Sequence, residues 1–393
     1  MGWIRVFWFV LVTVKLVSYT FSQECSRLIE AEGYGFYRLT CSSVQSLPLR
    51  LNYNNKGAKA LFITSGTIQS LPSFSFFNFP HVESIHISRC NVQDIVRGAF
   101  LELGSIREVQ INHNNIRNIR KGVFTSLTNL KTLDLSYNSI DMIEKDAMYG
   151  LINLKYVSTR RNNLKEVNFL FGLSTLNVID ISINKITFLH PSTFNGLHQL
   201  SDLNISFNEI NFIGLGTFKD LRNLRILDIS HNKLTSIGLG SLSGLTVVTN
   251  LDLSHNKLQT ITAEAFHMLE HLQYWKIDNN EITEFETVPL LSFLVNLKIV
   301  QLNGNNLACS ILLGILKEFR KVNINLKSGS EYEKYNIKGI ACQPTIVPIK
   351  MDLQNEQLMK IVNTVDGINR KFENVLHQHE LEMKTIFNYT TRI

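Results

Sequence analysis

The stretch LKTLDLSYNSI (Leu130–Ile140) decides the fold, because it recurs as LSDLNISFNEI, LRILDISHNKL, VTNLDLSHNKL and LKIVQLNGNNL. Aligned on the asparagine, the series runs Gly66, Cys90, Asn114, Asn138, Asn162, Asn184, Asn208, Asn232, Asn256, Asn280 and Asn305. The interval is 24 residues, except 22 after Asn162 and 25 after Asn280. Of the 33 leading apolar positions in these eleven units, 32 are apolar and Thr159 is the exception. The alternation around them reads as a short strand with one buried face, because strand side chains alternate. The asparagine turns the chain, and its amide can satisfy backbone groups of neighbouring turns that would otherwise be buried unbonded. A second apolar series, Phe76, Phe100, Phe124, Met148, Leu170, Phe194, Phe218, Leu242, Phe266 and Leu291, falls six residues before each following strand. Stacked, it predicts a spine behind a parallel sheet. No unit can bury its faces alone, so stability comes from neighbours.

The pattern L-x-x-L-x-L-x-x-N-x-L is that of leucine-rich repeats. The expected architecture is an α/β repeat solenoid, a leucine-rich-repeat horseshoe with a parallel concave sheet, disulfide caps and a C-terminal helix. A length of 393 residues would ordinarily suggest two or three globular domains. The repeats predict a different division: a signal peptide over 1–22, an N-terminal cap over 23–57, eleven repeats over 58–308, a C-terminal cap over 309–348 and a helical or coiled-coil tail over 349–393. Charged residues make up only 18% of the chain against about 25% in average proteins, as a spine and sheet filled with apolar residues require. The net charge of +6 is scattered, which disfavours nucleic acid as a partner.

Arg5 followed by the apolar run Val6–Val14 and then Lys15 reads as an export signal, too short to cross a bilayer. The expected location is therefore secreted and extracellular, with no membrane span. Outside the cell disulfides persist. Four flanking cysteines allow three pairings; because open solenoid ends need caps, Cys25–Cys41 and Cys309–Cys342 are the economical ones. Cys90 stands at the asparagine position of its own repeat and reads as a buried thiol, with an intermolecular bridge as the alternative.

After Pro348 a seven-residue pattern begins. Met351, Leu358, Val365 and Phe372 occupy one position and Ile361, Ile368 and Val375 the other. Leu358, Ile361, Val365, Ile368, Phe372 and Val375 are candidate coiled-coil contacts between chains. The same face could instead pack on its own solenoid.

Catalytic signals are weak. His267-Met-Leu-Glu270-His271 matches H-x-x-E-H, but Phe266, Leu269 and Leu272 are core positions there, which turns the histidines to the surface. No enzyme activity, metal or cofactor is expected. The working surface is expected on the concave strands, where one column reads Phe62, His86, Gln110, Asp134, Ser158, Asp180, Asn204, Asp228, Asp252, Lys276 and Gln301. Repeat five departs most, with Thr159 in a core position and Arg160 and Arg161 after it. With Tyr137, Tyr156, Ile183 and Phe207 nearby, these arginines form a candidate protein-contact patch. A solvated face with tolerated variation is the plainer reading.

The sequence NNLACSILLGILKEFRKVNINL, followed by NIKGIACQP and a heptad helix, resembles the secreted leucine-rich immune proteins of mosquitoes. That resemblance implies action in haemolymph, pairing through C-terminal coils with a related leucine-rich-repeat protein, and engagement of complement-like thioester proteins. It would assign the pairing to Leu358, Ile361, Val365, Ile368 and Phe372. No spare cysteine lies beside the coil for a disulfide-linked dimer of that kind. The second functional class is an extracellular adhesion or matrix protein that binds receptors through its concave face; recognition of microbial glycans is a third.

Two N-x-S/T sequons, at Asn204 and Asn388, are candidate glycosylation sites. Treating the secreted protein with an N-glycosidase should lower its mass; an unchanged mass would mean that both sites are empty.

Overall fold

In the computed structural model the described residues are 24–29, 37–49, 57–327 and 335–344. They form one β-solenoid on a 14-stranded sheet. The eleven repeat strands run from Ala58–Ile63 to Ile299–Gln301, each parallel to the next. Each strand buries its central apolar side chain, as the alternation predicts, and the flanking positions are more open except at Ser158, which is buried as well. The outward column from Phe62 to Gln301 is in register along the whole ladder. Behind the sheet the chain runs mostly through turns. Short strand pairs such as Phe188–Leu189 with Phe212–Ile213 interrupt them, and only the last repeats carry helix, at Ala263–Phe266 and Thr287–Phe293.

The asparagines hold the repeats together. In Asn208, Oδ1 accepts the N–H of Ile186 in the preceding repeat at 3.1 Å. Its Nδ2 donates to Ile181 O of the preceding repeat at 3.1 Å and to Ile205 O of its own at 3.0 Å. Asn162, Asn184, Asn232, Asn256, Asn280 and Asn305 repeat this arrangement. All are buried. The amide thus bonds main-chain groups that face no water.

The two positions that lack asparagine have local reasons. At Gly66 a Cβ would lie 2.1 Å from Val44 O, so the N-terminal cap backbone occupies the space a side chain needs. Cys90 is buried, and its Sγ lies 3.1 Å from Ser88 O and 3.6 Å from Ile63 O, so the thiol replaces the amide as donor. Burial pushes that thiol up to about 12, outweighing the backbone hydrogen bond to Ser88.

The spine is buried from Phe76 to Phe266, with Phe76, Phe100 and Phe124 stacked at 5.5 and 5.8 Å. The last position differs from expectation: Leu290 is fully buried and Leu291 only partly. The 25-residue interval is accommodated by the helix Thr287–Phe293, where one residue of offset rotates the inward position by about 100°.

Both expected disulfides are present. Cys25 pairs with Cys41 across the antiparallel strands Glu24–Ile29 and Tyr37–Ser42, and the second strand continues the sheet in parallel with Ala58–Ile63. Cys309 opens the cap helix Cys309–Lys321, which buries Leu312, Ile315 and Phe319, and is bonded to Cys342. The strand Asn325–Lys327 then ends the sheet. The signal segment 1–22 and the tail 349–393 lie outside the described residues, including Asn388 and the heptad positions Leu358, Ile361, Val365, Ile368, Phe372 and Val375.

Replacing Asn208 with Ala leaves the buried Ile186 N–H without its partner and takes from Ile181 O and Ile205 O one of the two bonds each accepts, those from Asn184 and Asn232 remaining. Each such loss costs roughly 1–3 kcal/mol, so chemical denaturation should show a stability loss on the order of 3 kcal/mol. A change within about 0.5 kcal/mol would contradict the role given to the ladder. Cys90, buried and with its thiol pushed up to about 12, should resist a maleimide in the native protein and label on unfolding.

Candidate functional site

The outward strand positions line the concave face, and one further column forms its rim. The rim column is the residue just before each ladder position from Cys90 to Asn280: Arg89, His113, Tyr137, Arg161, Ile183, Phe207, His231, His255 and Asn279. All nine are left-handed, with φ between 52° and 55°. The cause is long-range. The N–H of Tyr137 bonds Arg160 O at 2.8 Å, that of Arg161 bonds Ser182 O at 2.9 Å, and that of Phe207 bonds Ser230 O at 3.0 Å. The kink continues the sheet ladder by one more bond while turning the next residue, the asparagine, into the core. For a non-glycine residue this conformation costs roughly 1–2 kcal/mol, and a β-branched side chain such as Ile183 suits it least.

The rim side chains stack from repeat to repeat. The His113 and Tyr137 rings lie 4.3 Å apart, and the Arg161 guanidinium sits 5.5 Å above Tyr137. Beyond Ile183, Phe207 stacks on His231 at 3.9 Å and His231 on His255 at 4.0 Å. Burial holds His231 below the usual histidine range, His255 adds to this, and Asp228, Asp252 and Asp278 oppose it.

Four of the six patch residues chosen from sequence, Tyr137, Arg161, Ile183 and Phe207, therefore form one unbroken run of this rim. Tyr156 and Arg160 lie beside it on the sheet. Tyr156 stands between Thr132 and Val178 in register, half-buried, and burial raises its phenol above the usual range. The Arg160 Nη1 donates to Ser182 Oγ at 2.7 Å. Thr159 is fully buried, and its Oγ1 has no hydrogen-bond partner among the described residues. Its carbonyl is used twice, accepting from Asn162 at 2.9 Å and Asn184 at 3.0 Å.

The concave acids are less free than the sequence column suggests. In Asp180, Asp228 and Asp252, Oδ1 accepts both the N–H and the Oγ–H of the serine two residues on, at 2.6–3.0 Å. This turn is signalled by the recurring Asp-x-Ser spacing. Asn204 makes the same turn with Ser206, at 3.0 and 2.7 Å through Oδ1. No hydrogen bond of its Nδ2, the atom a glycan would occupy, is formed among the described residues. Lys276 bonds Asp252 Oδ2 at 2.8 Å, which raises the ammonium above its usual range. At the other end of the face Arg38 covers Phe62 at 4.4 Å, and Phe62 stacks on His86 at 4.2 Å.

The H-x-x-E-H histidines are exposed on the far side and serve separate carbonyls: His267 Nδ1 lies 2.7 Å from Glu264 O, and His271 Nδ1 lies 2.9 Å from Thr246 O. Among the described residues no group of three or more His, Cys, Asp or Glu is placed to hold a metal. No described helix is long and apolar enough to cross a membrane.

Comparison with solved structures gives the fold. Toll, from a Drosophila Toll–Spatzle complex, superposes with TM-score 0.63 at 18% identity; the match covers 69% of this chain but only 37% of Toll. The leucine-rich-repeat chain of FLRT2, from an octameric complex with Latrophilin 3 and Unc5D, gives 0.65 at 22% identity, covering 76% of this chain and 91% of that one. The leucine-rich repeat domain of APL1B gives 0.55 at 20%, covering 74% and 88%. Comparison with curated proteins gives no match. The leucine rich repeat family profile matches residues 104–164, 160–210, 198–258 and 246–307, just over half of the chain. With its eleven stacked strands and asparagine ladder, the chain belongs to the leucine-rich-repeat family.

Proposed function

We propose that the chain is a secreted, non-catalytic scaffold that binds protein partners through its concave face and the rim around repeat five. The observation that carries this reading is the run Tyr137, Arg161, Ile183, Phe207. Glycine or asparagine would relieve the left-handed backbone at each of these positions, yet bulky side chains stand there. Phe207 is 48% exposed, so burial does not repay it. Side chains that fold against local preference at the surface point to a contact made with something else.

The setting we propose is innate immunity. The resemblance of the C-terminal cap and tail to mosquito immune proteins supports it, as does the likeness to APL1B in fold. In that setting Leu358, Ile361, Val365, Ile368, Phe372 and Val375 would pair with a related chain, and a complement-like thioester protein would be the further partner. A glycan at Asn204 would cover the middle of the concave sheet and leave the rim as the open contact surface. The alternative is an adhesion or matrix protein that binds receptors through its concave face. Fold likeness to FLRT2, solved with two partners, favours that reading.

Ile183→Asn separates stability from binding. It should raise stability by on the order of 0.5–1 kcal/mol, because asparagine tolerates the left-handed region, and weaken capture of partners from body fluid. Wild type, this variant and a chain lacking residues 349–393 should be compared in one affinity purification. A thioester protein lost with either change supports the immune reading; matrix or receptor proteins in its place support the alternative. Equal capture by all three would refute both the rim and the tail as contact elements.

A further inference from the structure

The rim of repeats seven to ten carries two stacked imidazoles, His231 and His255. Phe207, His231 and His255 lie ring over ring with interplanar angles of 10° and 9°. The stack ends on Asn279, whose Nδ2 lies 3.2 Å from His255 Nε2 and 2.8 Å from Asp278 Oδ2. An amide nitrogen only donates, so this contact is a hydrogen bond only while His255 Nε2 carries no proton. A proton there sets two donors against each other. Asn279 could present its oxygen instead only by giving up the bond to Asp278. A second proton, on His231, would put two like charges in rings 4.0 Å apart.

The neighbouring charges only partly offset this. Asp228 and Asp252 each commit Oδ1 to a serine; Asp252 commits Oδ2 to Lys276, and Asp278 commits Oδ2 to Asn279. Lys276 adds a positive charge from the next strand. The lowered affinity of His231 for a proton follows from its burial and from His255.

We propose that Phe207, His231, His255 and Asn279 form an acid-sensitive latch on the concave rim. It is closed at neutral pH, and mild acidification parts it, uncovering the ring face of Phe207. This inference is independent of which partner the face binds.

The test is NMR titration of the full chain with labelled histidine and phenylalanine, alongside His255→Phe. That variant keeps a flat ring in a backbone conformation that Phe207 already adopts. The His231 ring should titrate below the ordinary value of about 6.5 and move upward in His255→Phe. Cross-peaks between Phe207 and His231 should be present at about pH 7.5 and lost at about pH 5. Because a lowered folded value favours the neutral ring, its stabilising effect is complete above about 6.5 and is lost as pH falls through the folded value. The Tm of a His231→Phe/His255→Phe double variant should therefore fall less than that of wild type between about pH 7 and 5. A His231 midpoint at or above about 6.5, a midpoint unmoved by His255→Phe, cross-peaks persisting at the lower pH, or an equal fall in Tm would each overturn the latch.

Discussion

The structure depends on a single buried carboxamide used once per repeat. An asparagine side chain carries an acceptor and two donors at one end of a short arm, and the ladder uses both kinds. Because its partners belong to two successive turns, each amide fixes the rise from one repeat to the next as well as the turn in its own. The parallel register of the sheet, the in-line concave columns and the spacing of the rim all follow from that fixed rise. Apolar burial supplies most of the stabilisation and rejects a one-residue slip, which would turn the apolar face outward. The amide adds directional bonds that fix the same offset.

The exceptions illustrate the same constraint. Gly66 gives up the amide because the cap backbone already occupies the space. Cys90 keeps a donor and loses the carbonyl acceptor of an amide, at the second turn of the stack. Repeat five, two residues shorter, keeps the asparagine bonds on both sides and takes the missing length from the back, where the chain is mostly turn. Length variation is thus confined to the surface away from the sheet, and the concave columns stay aligned across it.

The solenoid, its eleven strands and the spine were legible in the sequence because each rests on periodicity, and period survives without knowledge of contacts; both disulfides were legible because the open ends of a stack need caps. The Leu290–Leu291 exchange was not legible, because the inward position was counted back from the next strand and a local helix changes that count. The rim was half legible. Tyr137, Arg161, Ile183 and Phe207 stood out by residue type, but their left-handed backbone is imposed by bonds to the following repeat rather than by local preference. No propensity points to isoleucine or phenylalanine there. The aspartate column carried its own signal in the serine two residues on, which ties the carboxylates into turns.

The rim has an evolutionary consequence. Its backbone is dictated by the neighbouring turn, and the ring pairs His113–Tyr137, Phe207–His231 and His231–His255 meet at about 4 Å. A single codon change at one of these positions therefore rewrites two contacts at once and leaves the sheet and its amides untouched. Such a margin can acquire new chemistry stepwise, one repeat at a time, on a frame whose amide ladder stays in place.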